Sequence, residues 1–343
     1  MADVLQPPPW AEARHVPPSS AASSWLRATI AVSIVGFLAA GAGAIRSGGS
    51  AGPSFAALLF VATSVHVAST GWLYTLPEVR LVVSHRPLRM VWVPTGLVIA
   101  ASALAASVSP TRMGWLLIPF FGWQLFHYTK QNLGITCMAA RSKQLTAVTS
   151  IERRAIVCAG LCGIAGMASH PELLRTGVRG SSTPLLIAAT AGFCICEVVG
   201  LCTHFARPTR QRPPAFTAIF ILALTFSLPV FFFASPYAAL GGMTVAHGLQ
   251  YLVLVGFVAS SGKTSGARAI NWALLTNVAV IGGGVLALAS HLHGGVPAER
   301  LVFGAYVGVV MAHFVVDSGL WRQRDPASRA FMAERLTFLR VAS

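Results

Sequence analysis

Runs of roughly 20 apolar residues recur from end to end of this chain, and they confine it to structures that satisfy their own backbone hydrogen bonds inside a bilayer. A water-soluble domain carries about 25% charged residues. This chain of 343 residues carries 10%, against 55% hydrophobic residues. Its charges gather into short clusters between the runs. The expected fold class is therefore all-α, a polytopic membrane helical bundle. Its spans are read near 26–45, 54–76, 88–108, 113–139, 154–170, 182–204, 215–234, 236–258, 270–290 and 298–320, about ten in all. Pro94, Pro119 and Pro229 should kink the spans that contain them. Three regions follow: a Pro-rich disordered tail over 1–24 without a signal-peptide core, a transmembrane domain over 25–321, and a C-terminal tail over 322–343.

The loops supply an independent check, because alternate loops of a polytopic protein differ in Lys and Arg. Only Arg46, Arg112, Arg175, Arg179 and Arg300 fall on one side, and Lys130 falls within a span. The remaining basic residues fall on the other side, which makes both termini cytoplasmic and the location the cell membrane. The excess of 25 basic over 10 acidic residues is thereby topogenic, and no nucleic-acid partner is expected. Beyond the last span, Phe331, Met332, Leu336, Phe338 and Leu339 are spaced as on an amphipathic helix at the membrane interface. Four cysteines (Cys158, Cys162, Cys194, Cys196) lie inside apolar runs and two (Cys137, Cys202) near run ends, so no extracellular disulfide framework is expected.

Ionisable groups inside a bilayer are costly, so their placement points to function. The odd-numbered spans contain none in their interiors beyond His170, His291 and His293 at the outer ends. The even-numbered spans hold His66, His127, His247 and His313, each 11 to 15 residues from the outer end of its span. At about 1.5 Å per residue these imidazoles lie within roughly 6 Å of one level, and Glu197 joins them there. One turn deeper comes a second polar layer: Thr70, Lys130, Gln131, Gln250 and Asp317. A single membrane histidine commonly serves as an interhelical hydrogen-bond partner. Four at one depth, with a carboxylate, argue for a common metal centre instead.

Imidazole with carboxylate suits iron best here, with copper, zinc or manganese as other choices, and an apolar setting favours oxidative chemistry on a lipid-soluble molecule over hydrolysis. The metal ligands expected are His66, His127, His247 and His313, with Glu197 or Asp317 as a further ligand or as an acceptor behind one. Dioxygen is the expected co-substrate, and a redox partner is a possible donor. Lys130 is read structurally as an ion pair with Asp317 or Glu197 or as a side chain snorkelling to the cytoplasmic face, and functionally as a cation that recognises an acidic group or forms a Schiff base. Lys130, Glu197 and Asp317 are thus the candidate catalytic residues. Tyr128, Gln131, Asn132, Gln250 and Tyr251 are candidates for lining a substrate cavity.

One intramembrane histidine on each of several helices resembles the architecture of the bacterial β-carotene oxygenases of the Brp and Blh type. The resemblance lies in the distribution of His66, His127, His247 and His313 over the spans and not in their local sequences. It implies a polytopic bundle with a histidine-bound iron, without implying carotenoid cleavage. The His-x-x-x-His and His-x-x-His-His boxes of membrane desaturases are absent, and His291-Leu-His293 does not replace them. Two other readings remain: a haem-binding electron-transfer protein with facing imidazoles as axial ligands, and a transporter using Lys130, Glu197 and Asp317 as a mid-membrane pathway.

Overall fold

The computed structural model describes residues 20–46, 52–262 and 264–339, and it contains no strand among them. In chain order the helices are α1 (Ser20–Arg46), α2 (Pro53–Leu73), α3 (Pro77–His85), α4 (Leu88–Ser107), α5 (Pro110–Ser142) and α6 (Ser150–Ser169). They continue with α7 (Thr183–Phe205), α8 (Pro214–Ser227), α9 (Tyr237–Ala259), α10 (Ser265–Ser290), α11 (Pro297–Leu320) and α12 (Pro326–Arg335). The tail read as disordered is helical from Ser20 onward, and its remainder, like 340–343, lies outside the described residues.

Seven of these helices, α1, α2, α4, α7, α9, α10 and α11, are long and apolar enough to cross a membrane. Their outward faces are apolar: Leu38, Ile99, Ile281 and Leu288 are 64–72% exposed. A surface so covered with large aliphatic side chains is solvated by lipid, and the chain is a membrane protein. The other three expected spans are helical but less apolar or shorter. Helix α5 carries His127, Lys130, Gln131 and Asn132, α6 opens on Glu152, Arg153 and Arg154, and α8 tightens into a 3-10 turn at Thr225–Ser227 ahead of Pro229. Pro119, by contrast, lies within continuous helix.

The long helices pair closely where glycine lets backbones meet. On α11, Gly304 and Gly308 lie against the backbone of α4 at Ala101 and Val98. Helix α1 packs on α9, α2 on α10, and α6 on α7. Three π-helical stretches, Val61–Val65, Leu88–Trp92 and Tyr237–Gly241, interrupt α2, α4 and α9. Such bulges gather at functional sites, and the first runs straight into His66.

The helix expected at the C-terminus is present as α12, capped by the Asp325 carboxylate, which accepts from the Ser328 N–H at 2.9 Å. Its apolar side does not face lipid. Phe331 and Met332 on the helix, and Leu336, Phe338 and Leu339 in the turn beyond its end, are all buried, and Phe338 stacks on Trp25 of α1 at 5.3 Å between centroids. Arg335 also donates to both carboxylate oxygens of Glu78 on α3 at 2.7 Å. The protein itself covers the amphipathic face.

At the same end of the bundle Glu152 is fully buried at the start of α6. Its carboxylate accepts from the Arg207 guanidinium and from the Thr149 N–H, and His204 Nδ1 lies 3.4 Å away. Burial alone would raise this carboxyl, but His204, Arg207 and the Thr149 N–H outweigh it and hold it well below the usual carboxylate range. A depressed carboxyl stabilises the fold at every pH above its unfolded value of about 4.3. That contribution is lost as pH falls from there toward the folded value. Glu152→Gln is therefore expected to lower stability at neutral pH by about 2 kcal/mol and to flatten the acid limb below about pH 4. Thermal unfolding in detergent between pH 3 and 7 measures both, and an unchanged acid limb counts against this assignment.

Candidate metal centre

Four helices deliver the histidines: α2 brings His66, α5 His127, α9 His247 and α11 His313, and all four rings are buried. Their centroids form a closed cluster, with His66 4.7 Å from His313 and 5.1 Å from His247, and His127 5.0 Å from His247 and 5.1 Å from His313. Donor atoms of His66, His247 and His313 lie within 4.8 Å of one another, and so do those of His127, His313 and Asp317. His313 belongs to both groups.

The surrounding residues fix the rings. The Ala62 carbonyl, 2.6 Å from His66 Nδ1, can only accept, so that nitrogen carries the proton and Nε2 presents its lone pair to the cluster. His66 Nε2 and His313 Nε2 are 3.1 Å apart. Two donor nitrogens each about 2.1 Å from one ion, at right angles, would be about 3.0 Å apart. The Thr70 hydroxyl lies 2.7 Å from His313 Nδ1 and 2.8 Å from the Tyr251 hydroxyl. This relay orients the His313 ring, as the partners of metal-bound imidazoles do. His127 stacks on Phe314 at 4.5 Å and His247 on Tyr128 at 4.0 Å. One Asp317 oxygen accepts from Trp321 Nε1 at 2.6 Å, while the other lies 3.9 Å from His127 Nε2.

His247 is fully buried, and neither of its ring nitrogens has a hydrogen-bond partner; His127 Nε2 is likewise buried and unpartnered. Each such orphan costs about 1–3 kcal/mol when nothing binds it. One nitrogen of His247 and Nε2 of His127, each left to the histidine cluster, fit a bound cation.

The remaining candidates divide. Glu197 does not join the centre: it is half-buried on α7, which packs chiefly against α6, and it belongs to neither donor group. Depth counting placed it at the right height, but its helix lies to the side. Asn132 and Gln250 line neither of the two cavities beside the centre. They are buried and bonded to each other at 3.3 Å, and Gln250 donates to Ser33 at 2.9 Å, so they tie α1, α5 and α9 together. Gln131 donates to the His247 carbonyl at 3.1 Å. Tyr128 lines one cavity, Gln131 and Tyr251 another. Lys130 is exposed and pairs with neither Asp317 nor Glu197.

Of the layer foreseen one turn below the histidines, Thr70 and Asp317 meet imidazole rings, and they do so across helices. Thr70 of α2 serves His313, and Asp317 of α11 faces His127. Sequence reasoning missed Ala62, whose contribution is only a carbonyl, and also Ser33 and Phe314, which carry no ionisable group to mark them. A largely apolar cavity of about 510 Å³ adjoins the centre: Met113, Phe120, Phe121, Val310 and Phe314 line it together with His66, Tyr128 and the polar Gln124, Arg175 and His293. Compared with known protein families, curated proteins and solved structures, the chain matches none.

Proposed function

We propose that the chain is an integral-membrane, metal-dependent oxidase or oxygenase that acts on a lipid-soluble substrate at the histidine cluster, with non-haem iron as the metal. The supporting observation is the set of buried, unpartnered nitrogens on His247 and His127, beside the lone pair of His66. His127, His313 and Asp317 offer two imidazoles and a carboxylate, the donor set of non-haem iron oxygenases. The three-histidine group of His66, His247 and His313 would suit copper.

Bound iron would supply dioxygen activation. The chain's own residues then divide the work. The Thr70 hydroxyl, itself bonded to Tyr251, holds the His313 ring through its Nδ1, so that Nε2 faces the cluster. Phe314 and Tyr128 clamp two rings in place. The largely apolar cavity of about 510 Å³ takes the hydrophobic substrate. A haem reading has less support, since rings 4.7–5.1 Å apart leave no slot for a porphyrin. The topology that goes with this proposal has about ten spans, with α5, α6 and α8 completing the set, and both termini on the cytoplasmic side of the cell membrane.

Elemental analysis and an optical spectrum of the purified full-length chain test this directly. About one iron per chain without a Soret band is the expected result, and Asp317→Asn should weaken iron retention at least tenfold. Protein that stays metal-free after anaerobic incubation with ferrous iron and with copper sinks the reading, and a Soret band moves it to haem.

A further inference from the structure

A second cavity, of about 720 Å³, opens on the other side of the centre, where α4 and α6 begin and α11 ends. His127, Asp317 and Tyr251 belong to its lining, and so do five cations: Arg89, Lys130, Arg153, Arg322 and Arg324. Leu133, Ile135, Met138 and Leu254 add an apolar stretch. Within this lining one carboxylate therefore stands against five positive charges. The ion-paired carboxylates at this end are committed elsewhere, Glu78 to Arg335, Glu152 to Arg207 and Asp325 to Arg86. The side chains of Lys130, Arg322 and Arg324 make no hydrogen bond or ion pair among the described residues. Arg89 donates to Ser318 Oγ at 2.8 Å, yet its Nε is buried without a partner.

Basic residues that only set topology sit on loops in the headgroup layer. These instead line a concavity ending on candidate ligands. Lys130 lies three residues beyond His127 on α5, on the same face and about 4.5 Å further along the axis. Guanidinium and ammonium groups so placed match an oxyanion, and Arg binds carboxylate and phosphate in a fork. The volume suits a small headgroup with a length of chain, and the apolar stretch distinguishes it from a site for a free ion.

We propose that this cationic vestibule holds the anionic headgroup, carboxylate or phosphate, of an amphiphilic substrate whose apolar portion extends to the histidine cluster. Its role as a substrate site rests on the oxidase reading above; the anion binding does not.

Equilibrium binding to the full-length chain in a neutral detergent tests it, comparing oleate with methyl oleate and phosphatidic acid with diacylglycerol. At least one anionic amphiphile should bind tenfold or more tightly than its neutral counterpart, and the preference should shrink with added salt. The double variant Lys130→Met/Arg322→Gln should abolish that preference, and Arg324→Gln, on the exposed rim, should reduce it. Equal binding of the charged and neutral forms overturns the proposal, as does a preference that the double variant leaves intact. Inorganic phosphate competing at the concentration at which oleate itself binds also overturns it, in favour of a free-anion site. Metal content is measured on the same samples. Metal-free protein that still prefers the anionic amphiphile fails the oxidase reading and keeps the vestibule, whereas metal-loaded protein without the preference does the reverse.

Discussion

His313→Ala is expected to strip the metal from the purified protein, weakening retention at least a hundredfold, more than loss of an outer partner would. Among the described residues no other belongs to both donor groups, so neither set survives its removal. A ligand present at 100 times its dissociation constant stabilises a folded protein by about 2.7 kcal/mol. The native chain should therefore melt at a lower temperature once a chelator is added, and His313→Ala should melt alike with and without it. Chelator-sensitive melting in the variant rules out a shared His313 ligand. The single variants His247→Ala and His127→Ala then show which group holds the ion, since each belongs to one group alone.

Gly248→Val should disable the same centre without removing any donor. Helices α2 and α9 touch at this glycine, where even a methyl group would overlap the Ala62 carbonyl and crowd its Cα at 2.6 Å. That carbonyl orients His66, and His247 is the residue before the glycine. Backbone cannot yield as a side-chain tip can, so the helices must separate, at a cost of about 3 kcal/mol or more. Metal affinity should fall at least tenfold, because the spacing of His66 and His247 changes with the helices. Gly71→Ala is the control: it adds a methyl to the same α2 helix 3.6 Å from Val278, an ordinary contact, and should leave metal and melting unchanged. Native metal content in Gly248→Val contradicts this account.

Much of this centre was legible because the bilayer turns residue number into depth. His66, His127, His247, His313 and Asp317 could be placed at neighbouring levels by counting from span ends, and all five converge. Depth gives no bearing around the bundle, which is why Glu197 was placed with them although α7 stands to one side. Nor does it show which helix a polar group serves, as Thr70 and Asp317 illustrate. Arg89 and Arg153 look in the sequence like ordinary loop charges. Only the packing of α4 and α6 gathers them around one cavity with Lys130. The π-helical stretches left no signal in the apolar pattern, since one extra residue shifts a face without changing composition.

His66 and His313 are separated by 247 positions, and Phe338, which closes over Trp25, comes later still. During synthesis the ribosome releases His66, His127 and His247 well before their fourth companion exists. Until α11 has entered the bilayer, neither donor group is complete, and α1 lacks the aromatic cover that Phe338 brings. On the proposed function, loading with metal would belong to the end of biogenesis, after insertion is finished. A chain truncated ahead of α11 would expose half-built coordination chemistry to the cell and have no means of retaining an ion.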